Sequence, residues 1–525
     1  MITIWILGDQ LTHHHSAIPT AQKSRDAILM IESKAWAVSL NHHQIKLAMI
    51  FSAMRHFASE LRSRGWQVDY YEMAENYESA LRHHLQKFPS TSLLMMSPNS
   101  WQEQKKTSQL SKKLGFNLQF TPPVQFLCTR EEFKNWAHGR NRLLMETHYR
   151  QMRQRLGLLI EKDGSPTGGR WNFDAENRLN VRDYRKDGSP QPAPYPNFKH
   201  DKITSVAVSD IKKNFPHSPG DASNLWLPVT REQALICLQH FIENHLALFG
   251  KYEDLMISSH GQLFHSLLSA PINLGLLTPL ECAQAAENAL HKGLAPLSAV
   301  EGFIRQIIGW REFINGIYWL KMPDYLSVNA LNAHRQLPDF FSNGKTDMRC
   351  LSSTIQQVHA TGYNHHIQRL MILGNFLLLA GINPALALRW FNQMYVDAFD
   401  WVMAANLLGM ALHADGGFMA TKPYAASASY ISKMSDYCKG CAYSPTTKIG
   451  PGACPFNFLY WHFFDRHSQR FSKNPRTAVI VQSWLKKTEF EKSAYREQAL
   501  TFLNKIAPEI QKTLPSTEVS TPQEN

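Results

Sequence analysis

No stretch of this sequence holds 18 consecutive apolar residues, so no segment is read as a membrane-crossing helix. The start, Met1-Ile2-Thr3-Ile4-Trp5-Ile6-Leu7-Gly8-Asp9, lacks the basic opening, long apolar core and small-residue cleavage site of a secretory leader. Cysteine is scarce, seven in 525 residues, and the count is odd. Without an export signal this argues for the reducing cytoplasm and against a disulfide framework. Acidic residues fall short of basic ones, 43 against 55, leaving a net charge of +12. Such an excess speeds association with polyanions, nucleic acid above all, with a basic enzyme of dispersed charge as the equal alternative. An internal repeat is also missing. What is present, 44% hydrophobic and 19% charged, excludes a largely disordered chain. The length exceeds what one core usually serves, which predicts at least two domains.

Short apolar runs at Ile2–Leu7, Ala27–Ile31, Gln67–Tyr71 and Ser92–Met96 read as buried parallel strands. Leu47, Ile50, Met54, Phe57 and Leu61 step at helical spacing between the second and third. Residues 1–135 are therefore expected to form a doubly wound parallel α/β domain. Over 136–224 prolines, glycines and charges predict an interdomain connector without long regular structure, draped over the surface. Helical signals dominate 225–506, and 507–525 is expected to be a disordered tail.

Cys438 and Cys441 form a C-x-x-C, Cys454 follows, and Gly440, Gly450 and Gly452 lie among them. Short loops of this kind bring thiolates to one metal centre while glycines turn amides toward the sulfurs. Cys350 is the candidate fourth ligand, because Cys128, Cys237 and Cys282 sit in apolar patterns. Spacing alone leaves zinc and an iron–sulfur cluster both open.

Cys350 with Cys438-x-x-Cys441 and Cys454-Pro455 resembles the cluster pattern of the iron–sulfur bacterial cryptochromes and photolyases. Further strings resemble the same family: Phe264-His265-Ser266-Leu267-Leu268-Ser269-Ala270-Pro271, Gly309-Trp310-Arg311-Glu312-Phe313, Asn364-His365-His366-Ile367-Gln368-Arg369-Leu370, Gly168-Gly169-Arg170-Trp171-Asn172-Phe173-Asp174 and Lys422-Pro423-Tyr424-Ala425-Ala426-Ser427. The resemblance runs from Gly8 to Cys454. It implies a helical FAD domain carrying a [4Fe-4S] cluster on Cys350, Cys438, Cys441 and Cys454, behind the α/β domain. It implies a flavin held by His265, Ser266, Leu267, Leu268, Ser269, Arg311, Arg369, Asp397 and Asn406. The two serines would precede a helix whose free amides favour a diphosphate, and Arg369 and Asp397 would form a buried ion pair beside the flavin ring. Asn406 is placed toward the reactive flavin nitrogen, although the family position falls on Met403 or Ala404.

The same resemblance implies light-driven repair of (6-4) photoproducts in UV-damaged DNA. His366 would be the proton donor, His365 would orient it, and Tyr424 would close the pocket, imidazole being the group best placed to move a proton near neutral pH. Trp390 is the implied proximal electron relay. Phe391 stands where relatives often carry tyrosine, leaving Tyr395 and Trp401 as candidates beyond it. Gly8, Asp9, Gln10 and Glu32 are the implied crevice for a 6,7-dimethyl-8-ribityllumazine antenna. A cytoplasmic, nucleoid-associated monomer is expected. Three rival readings are a signalling cryptochrome without repair, repair of cyclobutane dimers, and a light-independent iron–sulfur nucleic-acid-binding protein.

Overall fold

Five parallel strands, β1 (Ile2–Ile6), β2 (Ala27–Ser33), β3 (Gln67–Ala74), β4 (Ser92–Met96) and β5 (Asn117–Thr121), make one sheet in the order β3-β2-β1-β4-β5. They belong to a computed structural model that describes residues 2–88 and 92–510. The central strands are buried almost throughout, as a sheet covered on both faces requires. Ile4 of β1 pairs with Ile28 of β2 on one side and Leu94 of β4 on the other. Edge strand β5, Asn-Leu-Gln-Phe-Thr, is half exposed and carries no apolar run, which is why the sequence did not reveal it. The helix Gln44–Ser63 buries Leu47, Ile50, Met54, Phe57 and Leu61, the positions its periodicity marks. Strand order reverses between β1 and β4, and the cleft beyond their C-terminal ends is where such sheets bind ligands.

The second part of the chain is helical, from Arg231–Asn244 to Glu489–Ile506. Three stretches, Arg305–Arg311, Gln368–Gly374 and Ala404–Ala411, are π-wound. Such bulges recur at functional sites. One hydrophobic core runs from the sheet into the helices. The two parts are also tied by backbone bonds: the Leu11 amide donates to the Leu274 carbonyl at 2.8 Å, and the Leu127 and Cys128 amides donate to buried Glu312 at 2.8 and 2.9 Å.

The connector departs from expectation. It contains the helices Met145–Leu156 and Lys202–Asn214, the second burying Ala207, Val208 and Ile211. Nor is the Gly168–Asp174 string merely draped: buried Arg153 donates to the Trp171 carbonyl at 3.0 Å, the Phe173 amide donates to buried Glu301 at 3.1 Å, and Asp174 pairs with buried Arg305. Proline and glycine density marked the loops but hid how much of them is docked. At the other end, Ala507 is buried and the Gln336 amide bonds the Pro508 carbonyl at 2.9 Å, so the first residues of the expected tail are packed. The rest of that expectation, 511–525, lies outside the described residues.

Candidate functional site

Arg369, on the π-wound stretch Gln368–Gly374, meets Asp397 in a two-point ion pair, Nη1–Oδ1 2.9 Å and Nη2–Oδ2 3.2 Å. Burial opposes charge on both. For Asp397 the guanidinium and the Ser269 hydroxyl, which donates at 2.7 Å, outweigh it and hold the carboxyl below its ordinary range. Arg369 also donates to the Asn364 carbonyl at 2.7 Å and lies 4.0 Å above the Tyr395 ring. Around this pair the core is incompletely closed. Ser269 is exposed although its neighbours are buried, and Val402, Asn406 and Met410, spaced along one helix face, are left partly open together with Arg369 and Leu370. Half-exposed polar and apolar side chains of this kind are what line the sites of amphipathic ligands.

The implied flavin residues separate into two groups. Ser269, Arg369 and Asp397 bond one another and Ser266 and Asn406 are partly exposed, while Leu267 and Leu268 are buried, Leu267 with φ of 58°. Asn406 donates to the Val402 carbonyl of its own helix at 2.9 Å. Arg311 is committed elsewhere: it donates to the Gln125 carbonyl and Glu312 and lies 4.2 Å over Phe126 and 5.1 Å over Trp401. The helix expected to cradle a diphosphate, Ser269–Leu274, is short, and its Ser269 hydroxyl is turned to Asp397.

His265 belongs with the histidine pair. Its ring stacks on His365, centroids 4.5 Å apart and planes 14° from parallel, and meets His366 edge-on at 5.4 Å. His265 and His365 are buried, and the His265 Nε2 and His365 Nδ1 atoms have no protein partner. Burial, reinforced by His366 for His265 and by His265 and His366 for His365, pushes both well below the ordinary imidazole range, so both are neutral at pH 7. His366 is about half exposed, with Nε2 3.5 Å from Asp254. Ligand atoms of the three rings lie within 4.8 Å of one another. In-plane lone pairs of stacked rings run parallel instead of converging, so the trio suits proton handling better than metal capture. Asp254 and Glu253 are joined by Arg178, at 3.9 and 2.9 Å. Tyr424 is partly buried, and burial raises its phenol, with nearby Asp254 adding and Arg178 opposing.

Trp390 is buried and donates from its indole to the Phe341 carbonyl at 3.0 Å. Its ring contacts are Phe341, Phe391 and, at 6.0 Å, Tyr395, the oxidisable one. Trp401 packs on Phe126 instead. Lys46, not singled out in the sequence, reaches from the α/β domain to the Asn392 carbonyl at 3.0 Å; burial lowers it to about 7 against the pull of Asp397 and Asp400.

At the strand ends, Gln10 and Glu32 are fully engaged within the protein. Gln10 receives the Leu7 amide and donates to the Met96 carbonyl. Glu32 accepts from Arg55 twice, at 2.7 and 2.9 Å, from the Tyr70 hydroxyl and from the Met73 amide. Both therefore fix the sheet, and a Cβ on Gly8 would press to 2.8 Å of Ile50. Asp9 is different: burial raises its carboxyl to about 6, against one bond from Asn99. Beside it the buried Asn99 Oδ1 and Glu103 Oε2 lack protein partners. Asn99 comes from the loop after β4 and Glu103 from the first turn of the helix Trp101–Leu114 that follows it, and their position at the strand-order reversal was the available signal.

All four candidate thiols, Cys350, Cys438, Cys441 and Cys454, line one cavity with Met348, Tyr437, Tyr443 and Phe456. Burial and then the other three thiols push Cys350 far up, so a nearby cation would be needed to make its thiolate favourable. Cys128 and Cys237 are pushed up to about 12 by burial alone or chiefly so, as inert core thiols are. Of the basic stretch 140–155, Arg153 is buried on the Leu158, Leu159 and Trp171 carbonyls and Arg155 pairs with Glu132, so fewer of its charges are free than the sequence suggests.

Residues 4–227 match the family model described as deoxyribodipyrimidine photo-lyase-related protein. A curated relative from Agrobacterium fabrum, a (6-4) photolyase, is 43% identical over 509 residues, 96% of this chain and 99% of the relative. The fold is similar to that of a bacterial class III photolyase from Agrobacterium tumefaciens, TM-score 0.53 at 18% identity over 98% of this chain and 93% of that one. A Synechocystis cryptochrome has TM-score 0.55 at 13% identity, with 96% and 99% covered.

Proposed function

The chain belongs to the family of the bacterial (6-4) photolyases, and from that premise we propose that it is a light-dependent DNA lyase that repairs (6-4) pyrimidine–pyrimidone photoproducts. The observation that carries the choice of lesion is the histidine trio: a half-exposed His366 backed by two buried, neutral imidazoles, a short way along one helix from the Arg369–Asp397 pair. FAD, the cofactor the family implies, supplies when bound, reduced and excited by light the electron that the lesion borrows and returns.

The protein's own part is to bind, orient and protonate. The flipped-out lesion enters beside His366, whose exposed Nε2 lies at 3.5 Å from Asp254 and is the group that delivers a proton. His365 and His265, held neutral, do not compete for that proton and keep the imidazole edge fixed by stacking. Tyr424 closes the pocket on the side of Asp254. The Arg369–Asp397 pair and Ser269 fit the polar edge of the flavin, and the half-open Val402–Asn406–Met410 face fits its ring. Trp390 with Tyr395 is the relay for resetting the flavin. The four thiols fit a [4Fe-4S] cluster better than one zinc ion. Zinc–sulfur bonds of about 2.3 Å would draw tetrahedral sulfurs to about 3.8 Å of one another, yet among the described residues the histidine trio alone brings three ligand atoms within 4.8 Å. A lumazine antenna would lie against Asp9, Asn99 and Glu103, not on Gln10 or Glu32. Such a protein works on the chromosome, hence in the cytoplasm.

The test compares two synthetic oligonucleotides under blue light. The account expects conversion of the (6-4) substrate and none of the cyclobutane dimer; the reverse preference would move the chain to the dimer photolyases, and no conversion of either would favour a signalling cryptochrome.

A further inference from the structure

We propose that Gln368 is the joint through which the four-cysteine centre positions the histidine pair, an inference that rests on the repair reading above. Tyr437 lines the cysteine cavity and immediately precedes Cys438, so whatever fixes that thiolate fixes the phenol. The Tyr437 hydroxyl accepts a hydrogen bond from Gln368 Nε2 at 2.9 Å, both residues being buried. On its other side, Gln368 Oε1 accepts the backbone N–H of His365 at 3.1 Å. His365 stands just before the helical turn that begins at residue 366, and a side chain reaching back from the third residue to the cap amide is half of a capping box.

A second strut comes from the helix Arg349–Thr361, which carries Cys350. Its Gln357 pairs carboxamide to carboxamide with Gln368, at 2.8 Å one way and 3.4 Å the other, and also donates to the Tyr363 carbonyl at 3.1 Å. Two thiol-bearing segments therefore converge on one buried carboxamide, and that carboxamide holds the amide of the histidine turn. Its loss leaves a buried donor unmatched, which the turn relieves by moving. A catalytic group displaced by about 1 Å loses on the order of 10²-fold in rate. The centre is thus a mechanical part of proton delivery, although no thiol touches the lesion pocket. Gln368, Tyr437 and Gln357 are positioning residues. The ionisable groups facing His366 are Asp254, Glu253, His265 and His365, and the turn sets its distance from each.

Tyr437→Phe removes only the hydroxyl, Gln368→Ala removes the joint, and Gln368→Glu keeps the acceptor for His365 but loses the donor to Tyr437. Tyr325→Phe, at an equally buried tyrosine bonded to Asp415, is the control. Each is purified as the FAD- and iron-loaded protein, with iron and flavin content measured. Histidine-selective NMR in the dark and without DNA should show moved His365 and His366 ring signals in Tyr437→Phe and Gln368→Ala, and unmoved ones in Tyr325→Phe. Repair should fall about 10-fold in Tyr437→Phe and Gln368→Glu and about 100-fold in Gln368→Ala at unchanged photoreduction, and the double variant should be no worse than Gln368→Ala. Should Gln368→Ala fail to fold, Tyr437→Phe carries the comparison. Unmoved histidine signals with repair tracking thermal stability alone would overturn the joint. A wild type that repairs nothing while the histidine signals move would instead remove the repair reading and leave the positioning standing.

Discussion

Replacing Asp397 with asparagine should destabilise the helical part of the protein by about 3 kcal/mol. The carboxylate side chain is 7% exposed and the Arg369 guanidinium 15%, so the pair is not discounted as a surface salt bridge would be. Breaking such a buried pair from one side costs about 3–5 kcal/mol, most of it from the stranded charge. Arg369 keeps the Asn364 carbonyl and the Tyr395 ring, and asparagine can still accept from Ser269, which argues for the lower end of that range. In a urea titration with a slope of about 3 kcal/mol/M, the transition of the helical part would move down by about 1 M. Adding Arg369→Met should recover part of the loss, because no charge is then left stranded. The pair also has a pH signature. Asp397 is held below its ordinary value in the folded protein, so its contribution is fully present above the unfolded value of about 3.9 and disappears as pH falls through the folded one. The wild type should lose this increment below about pH 4, and Asp397→Asn should lack the step. A midpoint shift under about 0.3 M, or a double variant worse than the single, would refute the reasoning.

Cys350→Ser should abolish iron incorporation and lower the yield of folded protein, since binding energy at such a centre is folding energy, whereas Cys282→Ser should retain iron; iron analysis of both proteins checks this. Glu32→Ala takes two charge-assisted bonds from buried Arg55, which keeps Asp210 at 2.8 Å, and should unfold the sheet domain earlier by about 2 kcal/mol, by thermal melting, whether or not an antenna is bound. DNA affinity should fall with salt at about −0.9 per phosphate contacted in a plot of log K against log salt. Arg153→Ala should change folding more than that slope, because the guanidinium is buried on three carbonyls.

Much of the sheet was legible because central strands buried on both faces write themselves as apolar runs, and β5 was not because an edge strand need not. Three clustered thiols and the patterns around Cys350 pointed to one group of four cysteines, and the four line one cavity. The histidine pair precedes Arg369 on the same stretch of chain, a nearness plain from the sequence, whereas His265 was read with the phosphate segment that precedes Ser269. A backbone reversed by Leu263 and Leu267 at positive φ turns it toward His365, and nothing in local spacing announces that. Glu32 and Gln10 had the right chemistry at the right strand ends; Arg55, Tyr70 and the Met73 amide, brought in by tertiary packing, had already taken the lone pairs of Glu32, and Gln10 was spent on the Leu7 amide and the Met96 carbonyl. The connector misled for the reason opposite to β5: its prolines advertise loops, while Glu301 and Arg305, which dock those loops together with Arg153, lie outside the segment.

The measurement that meets the central claim head-on is repair of a synthetic (6-4) oligonucleotide by wild type and His366→Ala, each started from chemically reduced flavin, in blue light and in the dark. The account predicts wild-type repair in light only, and a loss of about 10²–10⁴-fold in His366→Ala at unchanged flavin content, the range for removing a positioned general acid. Equal repair by His366→Ala, or repair that proceeds in the dark, would contradict it.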